Sequence, residues 1–496
     1  MQTHSKKNFI IMNRMKKTFL SILLAAACCA TVQSADYYVS PSGADSNPGT
    51  EDRPFFNISK AVAKAAPGTT IYLREGVYRP SVDDIMKVKG ESNVYDCVFY
   101  LSANGTSQRP ITLTGYPGES VVIDLSDIKT ENRIMGFDLR GNYWHLKQFD
   151  IVGIQVTQTG HTQSINVGLF GGCNCIIENV NMHDGMGIGV YATKGSNNLV
   201  LNCDAYNNYD PISENGHGGN CDGFGFHLNK PEFTGNVVRG CRAWRNSDDG
   251  FDLINNSAPV VIEQCWAWEN GYDADMISRG DGTGIKSGGY GMGTSPKVPA
   301  VIPRNIIRNC IAYANKNQGF YANHHLGGLD FINNSAYRNR RNFNMVNRKS
   351  IEENVDVDGY EHYLYGNVSF SPTSNGADCI NVNLNRSSLS NNTFNSDITV
   401  RSADFKSLDA SELLRPRKDD GSLPDIDFLR LDENSQPFHC GMGWEFEDGD
   451  DVTTIYSDPA VKDDMFYDLK GTKVDNPSNG IYVCNGKKVF LKQSGY

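Results

Sequence analysis

One seven-residue motif returns through the middle of this chain, and it constrains the fold more than any other feature. Asn202-Cys203-Asp204-Ala205-Tyr206-Asn207-Asn208 is echoed by Gly240-Cys241-Arg242-Ala243-Trp244-Arg245-Asn246, by Gln264-Cys265-Trp266-Ala267-Trp268-Glu269-Asn270 and by Asn309-Cys310-Ile311-Ala312-Tyr313-Ala314-Asn315. A shorter copy is Asn334-Ser335-Ala336-Tyr337-Arg338-Asn339. The closing Asn recurs at 208, 246, 270, 315 and 339, in steps of 38, 24, 45 and 24 residues. A basic period of about 24 with insertions marks a stacked solenoid. Each copy joins a β-rich run such as Val260-Val261-Ile262, a polar turn and a Gly-led run such as Gly250-Phe251-Asp252-Leu253. None contains a helix-length periodic stretch, which excludes helical and leucine-rich repeats and predicts an all-β chain, a parallel β-helix. The Asn then has a structural reason, since amides stacked at successive turns can hydrogen-bond up the ladder. Weaker echoes at Cys175 to Asn179, Tyr365 to Asn367 and Asn392 extend the solenoid to residues 91–400.

The flanks read differently. Lys16-Lys17, an apolar run from Phe19 to Ala30 and the small residues up to Ser34 predict a secretory signal peptide over 1–34, hence a secreted or cell-surface protein. Cys28 offers an alternative reading as a lipid anchor. Residues 35–90 are expected to form an N-terminal cap and the first strands, with a short amphipathic helix over Ile58 to Ala65. Residues 401–465 lose the repeat and are read as a C-terminal cap with long loops. Residues 466–496 hold three short alternating runs and are read as a small β-rich tail.

Composition narrows the function. The formal charge is −11, and the leader carries five basic residues and no acid. Without it, 41 basic residues face 57 acidic ones, a net charge of −16. Such a chain is a poor nonspecific binder of nucleic acid, and any anionic ligand must be held by a local basic patch or a metal. Eleven cysteines remain beyond the leader, without paired zinc spacing, and are expected to be mostly buried small apolar residues.

The Gly-led runs align as Gly223-Phe224-Gly225, Gly250-Phe251-Asp252, Gly284-Ile285-Lys286 and Gly319-Phe320-Tyr321. Strand side chains alternate, so Phe224, Phe251, Ile285 and Phe320 should stack inside while Gly225, Asp252, Lys286 and Tyr321 form an outer column. Asp222 and Asp249 precede the first two runs and should stack on each other, with Asp248 beside them. Asp222, Asp248, Asp249 and Asp252 thus converge, and four such carboxylates suit calcium. The glycines are expected to clear space for access. Asp204 and Asp281 read as turn residues.

These motifs, Cys221 to Gly225, Asn246 to Asp252 and Gly282 to Lys286, closely resemble the core of polysaccharide lyase family 9, the pectate lyase L type, and the similarity runs from Tyr37 to about residue 430. The resemblance implies a right-handed parallel β-helix, with Asp222, Asp248, Asp249 and Asp252 as calcium ligands and Lys286 as catalytic base. It implies an acidic plant cell-wall polysaccharide as partner, pectate first and rhamnogalacturonan I as alternative. Insertions at 210–220 and 272–280 and the basic stretch after 304 are where that difference should lie. The stretch Arg304 to Lys349 holds eight Lys or Arg and one acid, and is read as a polyuronate track with Arg304, Arg308, Lys316, His324 and Arg338 as substrate-binding candidates. A monomer is expected. His227 and Lys297 are the next candidates for the base.

Two rivals stand beside this reading. A polygalacturonase-type hydrolase would share the β-helix, and Gly216-His217-Gly218 resembles its motif, but here that motif precedes Asp248-Asp249 instead of following it. A non-catalytic glycan-binding β-helix would have no need of Lys286 beside the carboxylates.

Overall fold

A computed structural model describes residues 36–90, 94–290 and 298–444, together with five strands between 453 and 492. The leader and Lys297 lie outside the described residues.

Residues up to Trp444 form one unit. Its strands run in parallel ladders, each strand pairing with the equivalent strand of the next coil. A ten-stranded sheet starts at Tyr95–Leu101 and ends at Cys379–Ile380. A twenty-stranded sheet covers the other sides, its two ladders joined through the long strands Trp144–Val152 and Ile176–His183. The predicted β-helix is therefore present. It begins earlier than residue 91: Asp36–Val39 already pairs in parallel with Thr70–Leu73, and the last ladder strand is Ser388–Ser390. The helix Ile58–Val62 is shorter than predicted. It buries Ile58, Ala61 and Val62 in the common core and lies against Tyr95–Leu101, the end strand of its sheet.

The repeated Asn does what its recurrence predicts. The Nδ2 of Asn208 donates to Oδ1 of Asn246 at 2.9 Å, Asn246 to Asn270 at 3.2 Å, Asn270 to Asn315 at 3.0 Å and Asn315 to Asn339 at 2.9 Å. Each Oδ1 from Asn270 onward also takes the backbone N–H of the preceding ladder Asn, so the buried amides are multiply satisfied. This ladder corrects the reading of the glycines. A Cβ at Gly250 would lie 2.8 Å from Nδ2 of Asn270, and one at Gly284 2.7 Å from Nδ2 of Asn315. Gly is required there because the ladder passes beneath the strand, not because a ligand needs room above it.

Inside, Phe224 and Phe251 stack at 5.0 Å, and Phe320 and Phe343 at 4.9 Å. Such pairs add about 0.5–1.5 kcal/mol each to the burial itself. Cys203, Cys241, Cys265 and Cys310 are fully buried and free, as expected.

Residues 401–444, read as a cap, lie along the outside of the twenty-stranded sheet. Phe405 packs on Phe370, Phe428 on Tyr313, and Trp444 on Trp266. This strap also corrects the reading of Asp204. Asp204 is not a turn residue; it begins the strand Asp204–Tyr206, is 5% exposed, and pairs with Arg242 and with Arg417 of the strap, each at 2.6 Å. Buried carboxylates are stable only when paired in this way.

The second unit, Glu445–Tyr496, contains a five-stranded sheet. Three of its strands, Phe466–Tyr467, Gly480–Cys484 and Lys487–Lys492, match the runs read from sequence, and Thr453–Tyr456 and Lys473–Val474 add to them.

Candidate active site

The outer column forms in the predicted register. Gly225 lies opposite Asp252, Asp252 opposite Lys286, and Lys286 opposite Tyr321. Alternation places the inward partners Phe224, Phe251, Ile285 and Phe320 in the core and leaves these four on the other face.

Asp222, Asp248 and Asp249 converge, each offering an oxygen within 4.8 Å of the others. The backbone of the following coil holds them there. The N–H of Asp249 donates to Oδ1 of Asp222 at 3.2 Å, that of Asp281 to Oδ1 of Asp248 at 2.9 Å, and that of Thr283 to Oδ1 of Asp249 at 2.6 Å. Asp281, read as a turn residue, thus serves through its backbone. One oxygen of each carboxylate is anchored, and the other is left for a charged partner. The buried Oδ2 of Asp249 is in direct ion contact with the Lys286 amine. Asp252 stands apart from the three. Its Oδ1 accepts from the N–H of Ile254 at 2.7 Å. Its Oδ2 lies 3.3 Å from Nζ of Lys286 and 3.7 Å from Nε2 of His227.

The electrostatics follow from this crowding. Burial, then repulsion from Asp248, Asp252 and Asp249, pushes the Asp222 carboxyl well above the usual carboxylate range. Burial and Asp249 do the same to Asp248. Burial raises Asp249 to about 6, against the pull of Lys286. Burial also opposes ionisation of Asp252, but Lys286 and His227 outweigh it and hold that carboxyl low. For Lys286 burial works downward, yet Asp249, Asp252, Asp248 and Asp222 together hold its pKa well above the ordinary value. Three buried, mutually repelling carboxylates with anchored inner oxygens fit a hard divalent cation.

A family description, Pel9A-like, right-handed beta helix region, matches residues 37–367. The chain belongs to this Pel9A-like family. A second description, rhamnogalacturonan lyase-like, C-terminal, matches residues 383–456, the segment that contains the strap. The family member is 43% identical to a solved structure titled rhamnogalacturonan lyase, with a TM-score of 0.80 over 83% of this chain and 99% of that one. It is 29% identical to the crystal structure of pectate lyase Pel9A, with a TM-score of 0.63 over 82% and 91%. Pectate lyase L of Dickeya chrysanthemi is 32% identical over 430 residues, 84% of this chain and 90% of its own.

Within this family member the basic stretch is largely committed to the scaffold. Arg304 pairs with Asp330 and donates to the Glu361 carbonyl at 2.8 Å. Arg308 donates from Nε to Glu263 at 2.7 Å. Lys316 donates to the carbonyls of Arg279 and, at 2.6 Å, Gly280, which fixes the loop whose Asp281 N–H anchors Asp248. Arg338 is exposed beside the Tyr337 ring. Among the five candidates, His324 neighbours the column, bonded to the Tyr321 hydroxyl at 2.9 Å and to Asp356 at 2.6 Å. The two insertions meet beside the carboxylates: a Cβ at Gly280 would lie 2.8 Å from the Gly218 carbonyl oxygen and 3.1 Å from Oδ1 of Asp248, and Arg279 lies 4.3 Å over the ring of Tyr209, which adjoins the first insertion. Sequence reasoning missed Tyr191, whose hydroxyl lies 2.9 Å from Nδ1 of His227 and whose ring would meet a Cβ at Gly225. The signal was present, since Tyr191 is in register with Gly225 on the preceding coil.

Proposed function

We propose that this protein is a pectin-degrading lyase that cleaves rhamnogalacturonan I at its 4-linked galacturonate residues by β-elimination, with Lys286 as base. The observation that carries the reaction type is the position of Lys286, a mostly buried amine aligned with Asp252 and touching a cluster of three further carboxylates. The relationship to a rhamnogalacturonan lyase at 43% identity over nearly all of that chain supports the substrate. A pectate lyase is the second reading, supported by relatives of that name at 32% identity.

Asp222, Asp248 and Asp249 would hold calcium, with Asp252 at its edge. When bound, calcium neutralises the uronate carboxylate and so acidifies the C5 proton beside it. Lys286 accepts that proton. The C5–H electron pair becomes the C4–C5 double bond, the C4–O4 bond breaks, and the departing oxygen is protonated by water. The amine must be neutral to act, and Asp249, Asp252, Asp248 and Asp222 together keep it charged. Release of Asp249 from its ion contact with the amine removes the largest of these four influences and so weakens the amine's hold on its proton, with burial working in the same direction. Asp252, itself anchored by Ile254, keeps the side chain aimed along the column. A polymeric substrate calls for export, in keeping with the leader read in residues 1–34.

Side-by-side incubation with rhamnogalacturonan I and polygalacturonate, followed by ultraviolet absorbance of the unsaturated product, tests this reading. Faster product from rhamnogalacturonan I is expected. Faster product from polygalacturonate selects the second reading, and no absorbance from either rejects the lyase.

A further inference from the structure

The stretch after residue 304 is largely tied into the scaffold, and a further cation lies on the catalytic face among the earlier coils. The outer column continues through the earlier coils of the same sheet, from Gly225 to Tyr191, Gly168, Asp138 and Tyr100. Asp138 is fully buried under Arg140. Both its oxygens take the Nε–H of Arg140, at 2.9 and 2.8 Å. The guanidinium is flanked by the Phe170 ring at 5.6 Å and the Tyr100 ring at 5.9 Å. Its two terminal nitrogens bond to no group among the described residues, and the side chain is 24% exposed. Arg140 is thus held at one nitrogen while its planar fork points away from its anchor, the geometry that receives a carboxylate through two parallel hydrogen bonds. The aromatic flanks offer apolar surface to a sugar ring.

We propose that Arg140, oriented by Asp138 and flanked by Tyr100 and Phe170, forms a distal subsite for a uronate carboxylate of the polymer, five strand spacings or about 24 Å from Lys286. The proposal rests on the lyase reading and deepens it. A chain lying along the column would be cleaved at Lys286 and gripped several sugars away by Arg140. The subsite therefore acts on long substrates and is out of reach of short ones.

The test compares wild type with Arg140→Lys and Arg140→Ala in the full chain. Lys keeps a charge for Asp138 but cannot also offer a fork, so it separates lost recognition from lost folding. KM for the polymer should rise about tenfold in both variants, with kcat falling less than twofold and KM for oligosaccharides of three or four residues shifting less than twofold. Retardation of the variants in gels containing the polymer should weaken in parallel. An unchanged polymer KM in Arg140→Lys, or an equal rise for polymer and short oligosaccharide, would overturn the subsite. Absence of unsaturated product from wild type would overturn the lyase reading instead, and gel retardation by the polymer would then still decide whether Arg140 binds it.

Discussion

Lys286 and Asp252 face each other in register on adjacent coils, with Nζ 3.3 Å from Oδ2, while Asp249 reaches the same amine from the turn before. One amine thus has two acidic partners of different kind. Asp249 belongs to the three-carboxylate cluster, and Asp252 is anchored separately by Ile254.

That division predicts unequal effects on metal binding. Asp249→Ala should weaken calcium binding by at least tenfold, because it removes one of three converging ligands. Asp252→Ala should weaken it less. Titration calorimetry giving the same affinity for wild type and Asp249→Ala would reject the cluster as the metal site.

Metal affinity should depend on pH with a definite sign. Asp249 is raised to about 6, and Asp222 and Asp248 are raised as well. A cation needs them ionised, so binding releases protons and strengthens as pH rises through about 6. Calorimetry at pH 5 and pH 8 in buffers of different ionisation heat measures both affinity and proton release. Equal affinity at the two values would contradict the raised carboxylates.

The Asn ladder should be costly to interrupt. In Asn270 the Oδ1 accepts twice from Asn246, and Nδ2 serves the Ala243 carbonyl and Asn315. Asn270→Ala leaves several buried groups unpaired, and about 3 kcal/mol or more of stability should be lost. Urea unfolding measures it, and a loss below about 1 kcal/mol would show that the ladder is not a structural spine.

Asp204 tests the strap. Asp204→Ala leaves Arg242 and Arg417 without their buried carboxylate, at a cost of about 3–5 kcal/mol. The strap should loosen, so limited proteolysis should cut near Arg415 to Lys418 before the solenoid is attacked. Resistance equal to wild type would contradict an anchoring role.

The β-helix and the column were legible because both rest on period and alternation. Asn at 208, 246, 270, 315 and 339 marks the coils, and the Gly-led runs set the register that puts Asp252 beside Lys286. What was hidden depends on contacts without period. Asp204 looks like a turn residue until Arg417, 213 positions away, is folded onto it. The charges of Arg304, Arg308 and Lys316 can be counted, but the partners that occupy them cannot. Arg140 lies ahead of the clear repeats, and nothing local marks Tyr100 and Phe170 as its flanks.

Lys286→Arg probes the role of Lys286 as proton acceptor most directly. Arginine keeps the charge and much of the length, but it does not give up its proton near neutral pH. With rhamnogalacturonan I as substrate and calcium present, the rate of absorbance gain should fall by at least a thousandfold, while circular dichroism and calcium affinity stay close to wild type. A variant that kept more than about a tenth of wild-type turnover would contradict a general base at this position.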